Sequence, residues 1–340
     1  MRSAIRFAVM STVTRVLVIR FSSIGDIVLT TPVIRALKTQ LEGEVEIHYY
    51  TKKKFAALLE ANPHIAKVHV MEKTVQDALP ELEKIQFDYI IDLHRNIRSS
   101  VVKRRLKSLA FTFRKLNFQK WLWVNLGINR MPDMHIVDRY METLRGFGVQ
   151  DDGQGLDYFI PTNTPQPSLP SSFSGGYIAV SIGAMHKGKT PGAATLKGIC
   201  GLKKYPIVLL GAGDDDLLRA KKLSEEFGDH VFNGVNQFTL HQSAVILRDA
   251  RLVITGDSGL MHIASAFRKK IISLWGCTVP GFGMYPYRPH PDSVMIEPHD
   301  RKKRPCSKLG NKCKYGSDHL CIDQLQIAEI TTAIEKLWVQ

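Results

Sequence analysis

The sequence contains no long apolar run, few cysteines, and fewer acidic than basic residues. No stretch of its 340 residues approaches the ~20 apolar residues of a membrane-spanning helix, which argues against an integral helical membrane protein. Five cysteines are too few for a disulfide scaffold, so we expect reduced thiols and a cytoplasmic location. Arginines and serines interrupt the N-terminal MRSAIRFAVMSTVTRV, and no clean cleavage site follows, which argues against a signal peptide.

The shortage of acidic residues gives the chain a formal net charge of +14, from 46 lysines and arginines against 32 aspartates and glutamates. So large an excess points to an anionic partner, such as a nucleic acid, an anionic lipid surface or a phosphorylated substrate. The composition is otherwise that of a globular protein, with 44% hydrophobic and 23% charged residues. A chain of this length is typical of about two domains.

Short apolar runs alternate with helix-like segments along both halves of the chain. The predicted strands are 16–19, 46–50, 67–70, 89–93, 177–181, 207–210, 252–255 and 271–275. The predicted helices are 27–41, 53–60, 75–84, 217–227, 239–247, 259–267 and 323–338. This alternation is typical of doubly wound α/β domains with parallel sheets. We therefore predict two Rossmann-like domains with a ligand-binding cleft between them.

A segment rich in proline and serine separates the two halves. Residues 161–176 hold four prolines and four serines, a composition that predicts a linker. We therefore predict an N-terminal domain over 1–160, with a disordered leader over 1–14. A second domain is predicted over 177–322, and a C-terminal helical segment over 323–340.

The first candidate site follows the first predicted strand, where an open α/β sheet places its functional loop. The segment RFSSIGD (20–26) puts Asp26 in the first turn of a helix, whose dipole stabilises a carboxylate. Such a carboxylate can accept a proton from an attacking hydroxyl. On spacing alone, a helix-capping role for Asp26 is the favoured interpretation. The segment does not match GxGxxG, which argues against a nicotinamide site.

The second candidate is the turn Gly256-Asp257-Ser258-Gly259 between a strand and a helix. Its glycines allow a ligand close to the backbone, and the free amides at the helix start suit a pyrophosphate. His262 lies on the same side of that helix and could offer a hydrogen bond or positive charge to the phosphate. A buried core histidine is the alternative, and the glycine turn beside it favours the functional interpretation.

Two further loops follow strands in the second half. GAMHKGK (183–189) carries two lysines and a histidine, which suit phosphate charge. GAGDDD (211–216) carries acidic residues where α/β proteins often bind a ribose hydroxyl. The alternative for the second loop is a helix start with ordinary capping acids.

Three segments stand out when the chain is taken as a whole. They are RFSSIGDIVLTTPVIRALK (20–38), IIDLHRNIRS (90–99) and LVITGDSGLMHIASAF (252–267), of which GDSGLMH is the most specific. In order and spacing they resemble glycosyltransferase family 9, the ADP-heptose:lipopolysaccharide heptosyltransferases. The resemblance extends from about residue 16 to the C-terminal helix. It implies the GT-B architecture, with two facing Rossmann-like domains.

The resemblance implies roles for the residues at matching positions. Asp26 matches the proposed catalytic base of the family, and Lys189 matches a lysine that binds the donor diphosphate. The family often has Trp-Pro soon after that lysine, whereas Thr190-Pro191 stands here, so Lys187 and Lys189 are alternatives. The remaining matches are Asp257, Ser258, Gly259 and His262 for the donor-phosphate loop, Asp215 for the ribose and Phe238 for the adenine.

The implied function is inverting, metal-independent transfer of heptose from ADP-heptose to a lipopolysaccharide core acceptor, without a cofactor. Protein cations would stabilise the leaving diphosphate, and the sequence shows no Asp-x-Asp pair placed after a strand in a metal-dependent pattern. Three alternatives stay open: a related transferase with another nucleotide sugar, a non-catalytic nucleotide- or glycan-binding paralogue, and a basic nucleic-acid binder. The last explains the charge but not the glycine turn.

The segment 94–130 contains ten lysines and arginines and no acidic residue, interleaved with aromatic residues. This pattern suits an anionic membrane surface, and the family's acceptor is an anionic glycolipid. We therefore expect peripheral association with the inner face of the inner membrane and no nucleic-acid partner. The candidate acceptor or lipid contacts are Arg95, Arg98, Lys103, Arg104 and Arg105, although for any single one a solvated basic helix is the simpler interpretation.

Three of the five cysteines lie close together near the C-terminus. Cys306, Cys313 and Cys321 have spacings that are not typical of zinc sites, even with His319 as a fourth ligand. A loop with free thiols is therefore favoured over a metal site. Cys200 and Cys277 are predicted to be core or strand-end residues.

Overall fold

The computed structural model describes residues 13–299, 304–311, 313 and 320–339. The chain forms two compact units. Unit 1 comprises the residues up to Ser22, with Val33–Phe113 and Tyr140–Asp152. Unit 2 comprises Ser23–Pro32, Arg114–Arg139 and the residues from Gly153 onward.

Unit 1 is built on a sheet of five parallel strands in the order β3-β2-β1-β4-β5. The strands are β1 (Thr14–Ile19), β2 (Val45–Lys52), β3 (Lys67–Met71), β4 (Tyr89–Asp92) and β5 (Leu109–Thr112). Strand β1 lies at the centre, and Val16–Ile19 within it is fully buried. A central parallel strand is covered on both faces, which explains its continuous apolar sequence.

Unit 2 is built on a sheet of six parallel strands in the order β11-β10-β9-β6-β7-β8. They are β6 (Ile178–Ser181), β7 (Ile207–Leu210), β8 (Val231–Asn233), β9 (Leu252–Gly256), β10 (Ile271–Leu274) and β11 (Val294–Ile296). The strand order reverses between β6 and β9. In such sheets, ligands bind beyond the carboxyl ends of the strands at this reversal.

Helices connect the strands of both sheets. They are α1 (Ile24–Val28), α2 (Thr31–Gln40), α3 (Ala57–Glu60), α4 (Leu79–Ile85), α5 (Ile97–Leu106), α6 (Asn117–Leu126), α7 (Ile136–Met141), α8 (Ala193–Cys200), α9 (Asp214–Phe227), α10 (Leu240–Asp249), α11 (Gly259–Ala266), α12 (Leu320–Asp323) and α13 (Ile327–Val339). In the part of the chain described here, none of them is both long and apolar enough to cross a bilayer.

The core of unit 2 fixes the C-terminal helix. Ile330, Ile334 and Leu337 of α13 are buried with Ile254 of β9 and Ile272 of β10 in one apolar cluster. These three residues recur at spacings of four and three, so they form one apolar face of α13.

Most predicted elements are present, but helices α5, α6, α7 and α8 were not predicted, and several predicted elements differ in extent. The helix predicted over 27–41 is two helices, because the chain bends at Leu29 and Thr30, where Thr30 Oγ1 donates to the carbonyl of Ile27. The C-terminal helix predicted over 323–338 begins later, at Ile327 in α13, and Asp323 instead ends the short helix α12. The short strands β5, β8 and β11 were not predicted, because runs of three or four residues carry little periodicity.

The units divide the chain differently from the predicted domains. Segments 23–32, 114–139 and 153–160 belong to unit 2, although the prediction placed them in the N-terminal domain. Chain order predicts domains well only when each domain is continuous in sequence, and these units are not. Thr14 begins β1, whereas residues 1–12 of the predicted disordered leader lie outside the described residues.

Candidate active site

The loops after β6 and β9 meet at the strand reversal of unit 2. Lys189, from the loop after β6, forms a 2.6 Å ion pair through Nζ with Oδ2 of Asp257, which follows β9. Thr278 Oγ1 donates a 3.1 Å hydrogen bond to the same oxygen. Both partners of the ion pair are largely buried. Asp257 therefore holds the lysine in place, and the ammonium is the group suited to contact a phosphate.

Glycines fix the backbone that carries Lys189. A side chain at Gly256 would place its Cβ 2.1 Å from the carbonyl oxygen of Lys189, so only glycine allows this approach. A Cβ at Gly188 would lie 2.7 Å from Cys277 Sγ. Lys187, on the same short turn, is exposed. Of the two lysines left open by the sequence, Lys189 is the one that reaches Asp257.

The turn that follows β9 opens helix α11. Ser258 is its N-cap in extended conformation, and Ser258 Oγ lies 3.0 Å from Thr255 Oγ1. The first amides of a helix have no partner within the helix, and they carry its positive dipole end. Ser258 and Gly259 therefore form the start of a helix at the strand reversal, beside Lys189, as predicted for a phosphate loop.

Two glycines bring helix α1 against helix α11. A Cβ at Gly25 would lie 2.5 Å from Cδ2 of the His262 ring, and a Cβ at Gly259 would lie 2.8 Å from Cγ2 of Ile24. Both distances are shorter than real Cβ contacts allow. The residue after Gly25 is Asp26, so this approach carries Asp26 to the helix that holds His262.

Asp26 closes the first turn of α1. Its Oδ2 accepts hydrogen bonds from Ser23 N at 3.1 Å and from Ser23 Oγ at 2.7 Å. The helix-capping role favoured by the spacing is therefore present. The side chain is half-buried, and its charge acts on both His262 and Lys120. Capping fixes the position of the carboxylate and does not exclude a chemical role.

His262 is buried on α11. Burial lowers the pKa of its imidazole to about 4, while the charges of Asp257 and Asp26 act in the opposite direction. His262 is therefore neutral near pH 7 in the free protein, which favours the hydrogen bond over the positive charge among the two roles that the sequence left open. Its Nδ1 has no hydrogen-bond partner among the described residues.

Lys120 is a site residue that the sequence analysis did not single out. It lies on α6, and its Nζ is 5.2 Å from the ring centre of Phe282. Burial, followed by the charge of Arg139, lowers the pKa of Lys120 to about 7, whereas Asp26 and Asp257 raise it. The charge of Lys120 therefore also acts on the carboxylates of Asp26 and Asp257. Ten basic residues share this acid-free segment, and nothing in the sequence distinguishes this one.

The two residues predicted to hold the nucleoside lie after neighbouring strands. Asp215 is exposed in the first turn of α9. The adjacent Asp216 instead accepts a hydrogen bond from Ala212 N, and a Cβ at Gly183 would overlap its carboxylate. Phe238 is half-buried and stacks on Phe232. Asp215 is therefore accessible to a ligand, as is the exposed Asp214, and the roles of Asp215 and Phe238 stay predictions.

The basic residues predicted to contact an acceptor or lipid lie on or next to α5 in unit 1. Lys103 Nζ is 2.8 Å from Oδ2 of the fully buried Asp92, so it balances a core charge. Arg105 pairs with Glu83 at the surface, and Arg95 Nη1 donates to the carbonyl of Phe113. Arg98 and Arg104 are exposed. These two are the cations on α5 best placed for an anionic ligand.

Comparison with known proteins places these features in a family. The family model "Glycosyltransferase family 9 (heptosyltransferase)" matches residues 78–315. The chain is 23% identical over 289 residues to lipopolysaccharide heptosyltransferase 1 of Campylobacter coli, which covers 78% of this chain and 84% of that protein.

Solved structures show the same fold. A family 9 glycosyltransferase from Veillonella parvula superposes with a TM-score of 0.73 at 22% identity, over 96% of this chain and 97% of that one. E. coli ADP-heptose lps heptosyltransferase II gives a TM-score of 0.67 at 16% identity, over 96% and 99%. The predicted fold class, α/β with GT-B architecture, is confirmed.

Substitution of Gly25 by alanine tests the approach of α1 to α11. The new Cβ would overlap the buried His262 ring, so we expect Gly25→Ala to lower the free energy of unfolding by about 1–3 kcal/mol. Denaturant unfolding measures this change. Gly175→Ala is the matched control, because its Cβ would meet no atom within 4 Å. Equal stability of both variants would show that α1 and α11 are not in contact.

Buried histidines predict a loss of stability in acid. Burial lowers the pKa of His135 to about 3 and that of His262 to about 4, below the ordinary value of 6.5. The unfolded chain therefore binds more protons, so stability is complete above pH ~6.5 and falls as the pH drops toward these values. His135→Gln is expected to flatten this decline in pH-dependent unfolding. An unaltered decline in His135→Gln would contradict the assignment.

Proposed function

Since the chain belongs to glycosyltransferase family 9, the heptosyltransferases, we propose that it transfers heptose from ADP-heptose to a lipopolysaccharide core acceptor of the lipid A-Kdo type. The observation that carries the proposal is the convergence within unit 2 of a helix start, an ion-paired lysine and a half-buried carboxylate. A related GT-B transferase that uses another nucleotide sugar is the alternative within this family. A non-catalytic nucleotide- or glycan-binding paralogue is the alternative without turnover.

The donor diphosphate is proposed to bind at the N-terminus of α11. The first amides of the helix donate to its oxygens, and Lys189 supplies the adjacent positive charge. Asp257 cannot contact a phosphate favourably, because both are anions. Its ion pair with Lys189 and its bond from Thr278 instead hold the lysine ready before the donor arrives.

Asp26 is proposed as the general base. An acceptor hydroxyl attacks the anomeric carbon, Asp26 takes its proton, and the sugar–phosphate bond breaks. Direct displacement inverts the anomeric centre. The two hydrogen bonds from Ser23 fix the carboxylate, so it needs little reorganisation during the reaction. Its neighbour His262 is neutral and can donate a hydrogen bond without placing a second cation in the buried site.

Charge on the leaving diphosphate is proposed to be balanced by protein groups alone. Lys189 and the amides of α11 act directly. Lys120 is the additional cation, because its field reaches both Asp26 and Asp257. Preorganised charges in a site with little water stabilise a developing anion strongly. We therefore propose a transfer step that needs neither a metal ion nor a cofactor at the reacting atoms.

The nucleoside is proposed to lie beyond strands β7 and β8. Asp215 is exposed and accepts a ribose hydroxyl, and Phe238 covers the adenine. The loops after these strands are tied together, since Asn236 Oδ1 accepts a hydrogen bond from Gly213 N. ADP-heptose is the favoured donor because a solved neighbour, the E. coli protein reported above, is named for it.

The acceptor is proposed to be drawn from the inner face of the inner membrane. Helix α6 exposes Phe118 and Trp121, whose rings stack at 6.3 Å, and Leu126 is exposed at its end. In sequence, these residues belong to the acid-free segment 94–130, which carries ten lysines and arginines. Exposed aromatic residues beside cations suit an anionic bilayer surface. We therefore propose a cytoplasmic protein that binds this surface peripherally and does not bind nucleic acid.

Separate variants test the base and the diphosphate contact. Asp26→Asn keeps the shape of the side chain but accepts no proton, so we expect turnover to fall about 10²–10⁴-fold with unchanged ADP affinity. Lys189→Ala is expected to weaken ADP binding about ten- to a hundredfold, because a charged hydrogen bond is lost. Calorimetry with ADP and a transfer assay measure the two effects.

Lys187→Ala is the matched control for the diphosphate contact, since Lys187 is exposed on the same turn and is expected to leave ADP affinity unchanged. Full activity of Asp26→Asn would contradict the assigned base. Tight UDP binding without ADP binding would move the proposal to another nucleotide sugar, and binding without transfer to any acceptor would favour the paralogue.

Vesicle binding tests the proposed membrane surface. The wild-type chain is expected to sediment with phosphatidylglycerol vesicles and not with phosphatidylcholine vesicles, because positive charge directs the binding. The double variant Phe118→Ser and Trp121→Ser is expected to lose most of this binding. Leu218→Ser on α9 is the control, since Leu218 is an equally exposed apolar residue on another helix. Undiminished binding of the double variant would contradict the role of α6.

A further inference from the structure

Three cysteines from separate parts of the chain meet at one point in unit 2. Their Sγ atoms, from Cys277, Cys306 and Cys321, all lie within 4.8 Å of one another. Cys277 Sγ and Cys321 Sγ are 3.2 Å apart, and the residues are not disulfide-bonded. From sequence alone, Cys313 is grouped with Cys306 and Cys321, because it lies between them in the chain. The structure places Cys277 there instead, 29 positions before Cys306, and His319 lies outside the described residues.

The separation of the sulfur atoms matches that of a thiolate metal site. A zinc–sulfur bond of ~2.3 Å in tetrahedral geometry places the sulfurs ~3.8 Å apart. The 3.2 Å separation of Cys277 Sγ and Cys321 Sγ and the 4.8 Å upper limit for all three pairs are close to this value. Cys277 is fully buried and Cys306 nearly so, whereas Cys321 is partly exposed. The cluster is thus close-packed, with one side through which a cation can enter.

Buried positive charge lies next to the cluster. The side chain of Arg304 bonds to the backbone carbonyls of Gly276 and Thr278, on either side of Cys277. Arg304 Nη1 also pairs with Glu297 at 3.0 Å. Three thiolates with one divalent cation carry a net negative charge, which a neighbouring guanidinium stabilises.

The cluster is joined by backbone bonds to the turn that carries Lys189. Cys277 N donates to the carbonyl of Gly188, and Gly188 N donates to the carbonyl of Gly310. Cys306 N donates to the carbonyl of Cys277. The residue after Cys277 is Thr278, which bonds to Asp257. A group that binds all three sulfurs would therefore also hold in place the backbone that carries Lys189 and Asp257.

We propose that Cys277, Cys306 and Cys321 bind a thiophilic divalent cation of the class of Zn²⁺ or Fe²⁺ as a structural centre. On binding, each thiol releases its proton to water and each sulfur forms one bond to the cation, with no change of oxidation state. The centre lies behind the Lys187–Lys189 turn and takes no part in the transfer chemistry. Its function is to hold that turn, the loop around Cys306 and helix α12 together.

Metal content of the full chain tests the proposal. Elemental analysis of protein from medium containing zinc and iron is expected to give one ion per chain and to identify which of the two it is. Cys277→Ser, Cys306→Ser and Cys321→Ser are each expected to lose it. Cys313→Ser and the buried Cys200→Ala are the matched controls and are expected to keep it. Retention by Cys277→Ser with loss by Cys313→Ser would overturn the assignment.

A second measurement on the wild-type chain avoids variants that fail to fold. Removal of the ion by a chelator is expected to weaken ADP binding several-fold, and added Zn²⁺ or Fe²⁺ to restore it. Titration of thiols in denaturant is expected to find all five cysteines reduced. A disulfide, or a metal-free wild-type chain that binds no added Zn²⁺ or Fe²⁺, would overturn the proposal. Metal content does not depend on donor or acceptor identity, so its failure would leave the proposed transfer untouched.

Discussion

The arrangement of the site depends on the close approach of helices α1 and α11, which only glycine at positions 25 and 259 permits. Without a Cβ at either position, the backbone of one helix reaches the side chains of the other. Asp26 follows one of these glycines, and His262 lies one turn beyond the other. The lack of a side chain at these two glycines thus brings the carboxylate of Asp26 and the imidazole of His262 into one environment. It also explains why α1, which follows a strand of unit 1 in sequence, is counted with unit 2.

Burial then determines how these groups are charged. His262 and Lys120 both have a lowered pKa because burial penalises their charged forms, and the carboxylates of Asp26 and Asp257 counter that effect only in part. The free site is therefore less positive than a count of basic residues suggests. Lys189 keeps a direct carboxylate partner. The negative charge of the diphosphate proposed to bind here would favour the protonated form of Lys120. Charged groups that are held in place before the donor binds, and whose positive charge the donor then favours, suit a group-transfer site.

Much of this could be predicted from sequence. Alternating apolar runs gave the α/β class, and the short motif around Asp257, Ser258 and Gly259 marked the loop at the strand reversal. Three things could not be predicted. Lys120 is distinguished from the nine other basic residues of its segment by its contact with Phe282 and by the carboxylate charges that act on it, Cys277 joins the cysteine cluster across 29 positions, and the units are not continuous in sequence. Each of these three features depends on contacts between residues far apart in sequence, and the local pattern of apolar residues does not predict such contacts. Neighbouring positions differ in the same way: Asp215 is exposed, whereas Asp216 accepts a hydrogen bond from Ala212 N, and the sequence does not distinguish the two.

Asp26 and His262 share one environment where α1 contacts α11, and the titration of His262 measured by NMR tests this most directly. In the wild-type chain the imidazole is expected to titrate with a pKa of about 4. Removal of either neighbouring charge, in Asp26→Asn or Asp257→Asn, is expected to lower this pKa further, because both carboxylates favour the protonated form. His48, whose pKa is lowered by its own burial and responds to the charges of Glu46, Lys67 and Arg15, is the internal reference. An unchanged His262 pKa in Asp26→Asn would contradict the account.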